Sequence, residues 1–154
     1  TEFEEIILRK KAKIKVGKLC VLKILPFQFR QLLSNLIGNA LKFSKPGVAS
    51  VITIKSTTTT GQKLAAGNDS LAVEILLPKT KYCHITFSDN GIGFDPQYKE
   101  KIFEVFQRLH GYEQYKGTGI GLAICKRIIE NHNGAITATG EPGKGARFDI
   151  YIPA

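Results

Sequence analysis

A helically spaced apolar run from Leu122 to His132 follows Gly117-Thr-Gly119-Ile-Gly121 and precedes two short β-branched runs. Those runs, Ala135-Ile-Thr-Ala-Thr and Ala146-Arg-Phe-Asp-Ile-Tyr-Ile, flank Gly140-Glu-Pro-Gly-Lys-Gly145 and predict an antiparallel hairpin with a long turn. A glycine-rich loop opening a helix raises the doubly wound, dinucleotide-binding architecture first. That architecture requires a third glycine at position 122, where Leu122 stands, and a parallel strand after the helix, where a hairpin stands. A Walker loop is also absent, because Gly143-Lys144-Gly145 has neither its spacing nor its Ser or Thr. A glycine-rich segment at a helix start still offers free N–H groups and the positive end of the dipole to an anion. Phosphate binding outside both architectures is therefore expected.

The rest of the chain reads as a single domain over residues 1–154. A hydrophobic fraction of 43% with 23% charged residues is that of a soluble globular protein. No apolar run approaches the roughly 20 residues needed to cross a bilayer, and Thr1-Glu-Phe-Glu-Glu lacks the features of a signal peptide. Cys20, Cys83 and Cys125 have no metal or redox spacing and are expected as reduced core thiols. The net charge of +9 comes without aromatic platforms or a nucleic-acid module, so it favours an anionic ligand or acidic partner protein. Strands are expected within residues 12–25, over Val48–Ser56 and over Tyr82–Ser88, and helices over Phe27–Ser44 and Pro96–Leu109. Lys45-Pro46-Gly47 stops the first helix. Residues 57–81 form the least regular stretch, and His110–Lys116 is a polar loop.

Two further segments carry chemistry. In the first helix, Leu32, Leu33, Leu36, Ile37, Ala40 and Leu41 form an apolar stripe, while Gln31, Asn35, Asn39 and Lys42 share the other side. Asn inside a helix costs up to about 0.7 kcal/mol relative to Ala, so two of them one turn apart imply a task. An amide oxygen can ligate a hard cation such as Mg²⁺, and a lysine can meet phosphate. A solvated polar face is the plain alternative. The second segment, Asp89-Asn-Gly91-Ile-Gly93-Phe94, follows a strand. It is by itself an ordinary turn sequence, but a partly buried carboxylate can select an exocyclic amine such as that of adenine.

Taken together, Asn35-Leu-Ile-Gly-Asn39-Ala-Leu-Lys42-Phe43, Asp89-Asn-Gly91-Ile-Gly93, Ile102-Phe103-Glu-Val-Phe106-Gln-Arg108 and Gly117-Thr-Gly119-Ile-Gly121 resemble the N, G1, F and G2 boxes of sensor histidine kinases. These are the boxes of the kinases' catalytic, ATP-binding domain, in the Bergerat-fold superfamily with gyrases, heat-shock chaperones and mismatch-repair ATPases. The resemblance runs from about Leu25 to the C-terminus and excludes residues 57–81, which read as an insertion. It implies an α/β (α+β) two-layer sandwich: a mixed, mainly antiparallel sheet of about five strands with three main helices on one face.

The resemblance also implies roles. Asn39 would ligate Mg²⁺ bridging the ATP phosphates, with Asn35 and Lys42 on the phosphates and Phe43 lining the pocket. Asp89 would bind the adenine amine, and Gly91 and Gly93 would shape the base pocket. Arg108 would approach the γ-phosphate, residues 107–116 would form a lid hinged at Gly117, Gly119 and Gly121, and Gly117, Thr118, Gly119, Gly121 and Leu122 would bind the nucleotide. Leu25 and Gln28 depart from the acidic and basic residues the family often carries there. Hydrolysing members place a Glu one turn before the Mg²⁺-binding Asn; Asn35 cannot take a proton at neutral pH, which suits phosphoryl transfer. In the family the acceptor is a His on a separate dimerisation domain, and none of His84, His110 and His132 follows its helical pattern. The implied partners are that domain and a response regulator, with no nucleic acid and no membrane contact. A cytoplasmic location is implied, in a homodimeric full-length protein compatible with an upstream membrane anchor. A Bergerat ATPase and a nucleotide-binding regulatory module without transfer are the rival functions.

Overall fold

The computed structural model describes residues 12–17, 19, 24–66, 77–104 and 121–154. In chain order the elements are β1 (Lys13–Val16), α1 (Pro26–Lys42), β2 (Val51–Thr60), α2 (Gly61–Ala66), β3 (Lys81–Asp89), α3 (Gly121–Asn131), β4 (Ala135–Glu141) and β5 (Gly145–Pro153). The five strands form one sheet in the order β1-β2-β3-β5-β4. Only β1 and β2 run parallel; the other pairs are antiparallel.

Period-two alternation in the strands produces one apolar face. Ile54, Phe87, Phe148 and Ala138 lie in one row across four strands, with Ile85, Ile150 and Ile136 in the next. Against this face pack the buried stripes of the two long helices, Leu32, Leu36 and Leu41 from α1 and Cys125, Ile128 and Ile129 from α3. Burying each large aliphatic or aromatic side chain stabilises the fold by about 1.5–3 kcal/mol, so the helical and strand periodicities together define the core.

Helix α1 begins without a side-chain cap, because Leu25 precedes Pro26 in extended conformation. Pro26 fits the first turn, where its missing N–H is no loss. His132, just past the end of α3, supplies a different tether. Its Nδ1 lies 2.8 Å from the Ile128 carbonyl oxygen and its Nε2 3.0 Å from the Leu25 nitrogen. A carbonyl can only accept and a backbone N–H can only donate, so Nδ1 carries the proton and Nε2 accepts. The neutral ring thereby joins the start of α1 to the end of α3, with Phe29 edge-on to it at 5.8 Å.

Three features differ from expectation. Strand β2 continues through Thr57–Thr60, paired with Lys81–His84, because a run of β-branched threonines suits an extended edge whatever its polarity. Pro96–Leu109 does not read as one helix: Pro96–Tyr98 and Lys101–Phe103 are single 3₁₀ turns, the first capped by Asp95, whose Oδ1 accepts from the Gln97 N–H at 3.0 Å. Residues 105–109 lie outside the described residues. Among those described, the third helix is the short α2 instead. Finally, Cys125 is a free buried thiol as expected, whereas Cys83 is disulfide-bonded.

Candidate functional site

The end of β3 delivers Asp89 into a loop held on both sides. Asp89 Oδ1 accepts from the N–H groups of Gly91 at 2.8 Å and Ala146 at 3.3 Å. Its Oδ2 makes no hydrogen bond with a described residue. Burial pushes the Asp89 carboxyl above its usual range, and the two backbone hydrogen bonds only partly offset this. Next to it, Asn90 accepts from the Val51 N–H at 2.8 Å and donates to the Ala49 carbonyl at 3.0 Å, zipping the loop to the start of β2.

The glycines of this loop are required by close approach. A Cβ at Gly91 would sit 2.5 Å from the Phe43 carbonyl oxygen, the same oxygen that accepts from the Ile92 N–H at 2.9 Å. Gly93 has φ +68°, and a Cβ there would lie 2.1 Å from the Glu141 carbonyl. On that side the Gly143 N–H donates to the Ile92 carbonyl at 2.8 Å. The loop is thus clamped between the end of α1 and the turn of the β4–β5 hairpin.

The polar side of α1 carries the second group of candidate residues. Asn35 accepts from Gln31 Nε2 at 3.0 Å and donates through Nδ2 to the Gly121 carbonyl at 3.2 Å. One turn on, the half-exposed Asn39 side chain makes no hydrogen bond with a described residue. Lys42 Nζ lies 5.1 Å over the Phe43 ring, in the last turn of the helix where a cation complements the dipole. Gly121 and Leu122 are the first described residues of α3. Of the predicted residues, Asn35, Asn39, Lys42, Phe43, Asp89, Gly91, Gly93, Gly121 and Leu122 therefore belong to three segments, of which α1 touches both the Asp89 loop and α3. Arg108, Gly117, Thr118 and Gly119 lie outside the described residues.

This arrangement presents a hydrogen-bond acceptor in the Asp89 loop, and a lysine and a carboxamide without a described partner on α1. A purine amine and a polyanion are its natural complements. Among the described residues no group of three or more His, Cys, Asp or Glu could hold a metal ion. The donor chemistry nevertheless fits Mg²⁺, which keeps waters and substrate phosphates and needs only one or two protein oxygens; Asn39 Oδ1 is available for that. The buried Asp149 lies elsewhere, on the opposite face of the sheet, 2.7 Å from His84 Nε2 and 2.9 Å from Arg147. Burial alone would raise its carboxyl, but the hydrogen bonds from His84 and Arg147 outweigh that and hold it below its usual range.

Sequence reasoning missed Gln31 as the orienter of Asn35, and Asn90. An Asx residue inside a turn was the available signal for Asn90; nothing local announces that its partners lie on β2.

Residues 25–154 match the model of the histidine kinase-, DNA gyrase B-, and HSP90-like ATPase family. The phytochrome-like protein Cph1 of Synechocystis is 38% identical over 143 residues, covering 92% of this chain and 16% of that protein. Cyanobacterial phytochrome A of Nostoc is 40% identical over 126 residues, covering 82% of this chain and 14% of its own length. The chain thus spans only a minor part of these relatives. Among solved structures, the catalytic domain of histidine kinase ThkA superposes with a TM-score of 0.66 at 27% identity, covering 99% of this chain and 86% of that one. Full-length ShkA in complex with AMPPNP superposes with a TM-score of 0.69 at 25% identity, covering 99% of this chain and 27% of that one. With the mixed five-stranded sheet, the paired helices and the matched boxes, this chain belongs to the family of histidine kinase-, DNA gyrase B-, and HSP90-like ATPases.

Proposed function

We propose that the chain is the ATP-binding catalytic domain of a sensor histidine kinase, transferring the γ-phosphate of ATP to a histidine on a separate dimerisation domain for relay to a response regulator. The observation that carries this reading is the division of labour at Asp89. Its Oδ1 is fixed by Gly91 and Ala146 while Oδ2 is left to accept from a ligand amine. The α1 wall supports the other half of the reading. Asn39 would hold Mg²⁺, which supplies charge neutralisation on the phosphates when bound. Lys42 and Arg108 would add positive charge, the glycines of residues 117–121 would line the phosphates, and Phe43 and Leu122 would line the pocket. Rate acceleration in such a site comes from positioning and electrostatics. The acceptor imidazole attacks the γ-phosphorus in line, the bond to the bridging oxygen breaks, and ADP leaves with that electron pair.

Asn35 favours transfer over hydrolysis, since an amide cannot deprotonate water. The full-length protein would be a homodimer with this domain in the cytoplasm. Among the described residues no helix is long and apolar enough to cross a membrane. The test is transfer of labelled γ-phosphate from MgATP to an added dimerisation domain carrying the acceptor histidine. Wild-type chain should label the acceptor, and Asn39→Ala should lower the rate at least about a hundredfold. Comparable rates in the two proteins would refute the Asn39 assignment. Steady ADP release without any acceptor would favour the ATPase alternative.

A further inference from the structure

We infer that Asn35 is a positioning residue: its carboxamide clasps the Gly121 carbonyl to α1 and sets the start of α3 against Asn39 and Lys42, instead of reaching the nucleotide itself. The functional half of this inference rests on the nucleotide site described above.

Both ends of the Asn35 amide are engaged inside the protein. A backbone carbonyl only accepts, so the nitrogen must face Gly121, at 3.2 Å. The oxygen is then turned to Gln31 Nε2, at 3.0 Å. Gln31 thus fixes which way round the amide stands. One turn into α3, Cys125 Sγ lies 3.9 Å from the Leu32 carbonyl of α1. Burial keeps that thiol protonated, with its pKa pushed up to about 12, so the contact is between neutral groups and carries no net charge.

A Cβ built at Gly121 would meet nothing within 4 Å among the described residues, and the Asn35 amide supplies the hydrogen bond that links Gly121 to α1. The linkage also explains the residue type. A carboxylate at position 35 would set two oxygens facing each other across about 3 Å, whereas an amide donates. Asn39 follows one helical turn, about 6 Å, along the same face. Holding Gly121 to Asn35 therefore fixes the distance between the first N–H groups of α3 and the Asn39 amide. A displacement of about 1 Å in such a frame is costly to a reaction that depends on alignment.

The experiment measures hydrogen–deuterium exchange of residues 121–128 in the nucleotide-free 154-residue chain, beside calorimetric affinities for MgATP and for adenosine. Asn35→Ala and Asn35→Asp are both expected to accelerate exchange at residues 125–128, whose N–H groups bond to carbonyls within α3 beginning with that of Gly121. Both should also weaken MgATP about tenfold, the size of one lost hydrogen bond, while adenosine, which meets only the Asp89 wall, binds as before. Exchange that is unchanged without nucleotide overturns the clasp, since a direct phosphate contact predicts that result. Equal losses of MgATP and adenosine overturn it as well, by pointing to general destabilisation. If the Asn35 variants do not fold, Gln31→Leu decides: it leaves Asn35 in place, and faster exchange at residues 125–128 is expected, with unchanged exchange counting against the clasp. A wild-type chain that binds neither MgATP nor adenosine would instead refute the nucleotide reading, leaving the exchange result to stand alone.

Discussion

Asp89 does two jobs with two oxygens, and a single substitution separates them. In Asp89→Asn the amide oxygen can still accept from Gly91 and Ala146, while an NH₂ group replaces the acceptor offered to the ligand. Setting a donor against an amine leaves both unsatisfied, at about 1–3 kcal/mol. ATP affinity should therefore fall by about tenfold or more while inorganic triphosphate binds as before; equal losses by calorimetry would contradict the adenine role. The titration adds a signature. Burial raises the folded-state pKa of Asp89 above 3.8, so ionising it in the folded protein opposes stability, and that cost accrues as pH rises from 3.8 through the raised value. Wild-type ATP affinity should weaken as pH falls through that raised value and the carboxylate is lost, whereas the affinity of the Asp89→Asn variant stays flat over the same range. Residue types announced Asp89, Asn39 and Lys42 because chemistry is carried by type and spacing. The partners of Asn35 and Asn90 were not legible. Gly121 is 86 positions from Asn35, and a link across such a distance depends on how two helices pack.

At the level of elements, the glycine positions of the Asp89 loop are the tightest joints in the site. Gly93 combines a positive φ with a contact that no side chain can enter, 2.1 Å from the Glu141 carbonyl to an added Cβ. Gly93→Ala should therefore destabilise the fold by about 3 kcal/mol or more, combining backbone strain with displacement of the hairpin turn. Urea denaturation measures this directly, and a loss below about 1 kcal/mol would show that the turn yields. Strongly periodic elements were readable in advance: α1 and α3 from their apolar stripes, the β4–β5 hairpin from two β-branched runs around a glycine-rich turn. The Pro96–Leu109 segment misled because its apolar residues fit a helix, yet Asp95 and Pro96 start only a single turn and the chain turns extended again at Glu104. The threonine run misled in the other direction. Its polarity suggested a loop, while pairing with β3 needs only an extended backbone.

For the molecule as a whole, the sandwich was predictable because its layers follow from hydrophobic periodicity, but the sheet's border was only roughly drawn. Strand β1 precedes α1 and pairs in parallel with β2, Lys13 beside Val51 and Val16 beside Ile54, and Ile14 packs against the core. The family match begins only at residue 25, after this strand. A fragment trimmed to residues 25–154 would consequently uncover the Val51–Ile54 edge of β2 and bare its N–H and C=O groups, the kind of edge that recruits other strands. It should melt lower than the 154-residue chain and self-associate in light scattering, and an equally monomeric, equally stable fragment would show β1 to be dispensable. The four-residue ribbon of Lys13–Val16, outside the recognisable boxes, is then what keeps a nucleotide-handling domain from becoming an adhesive surface.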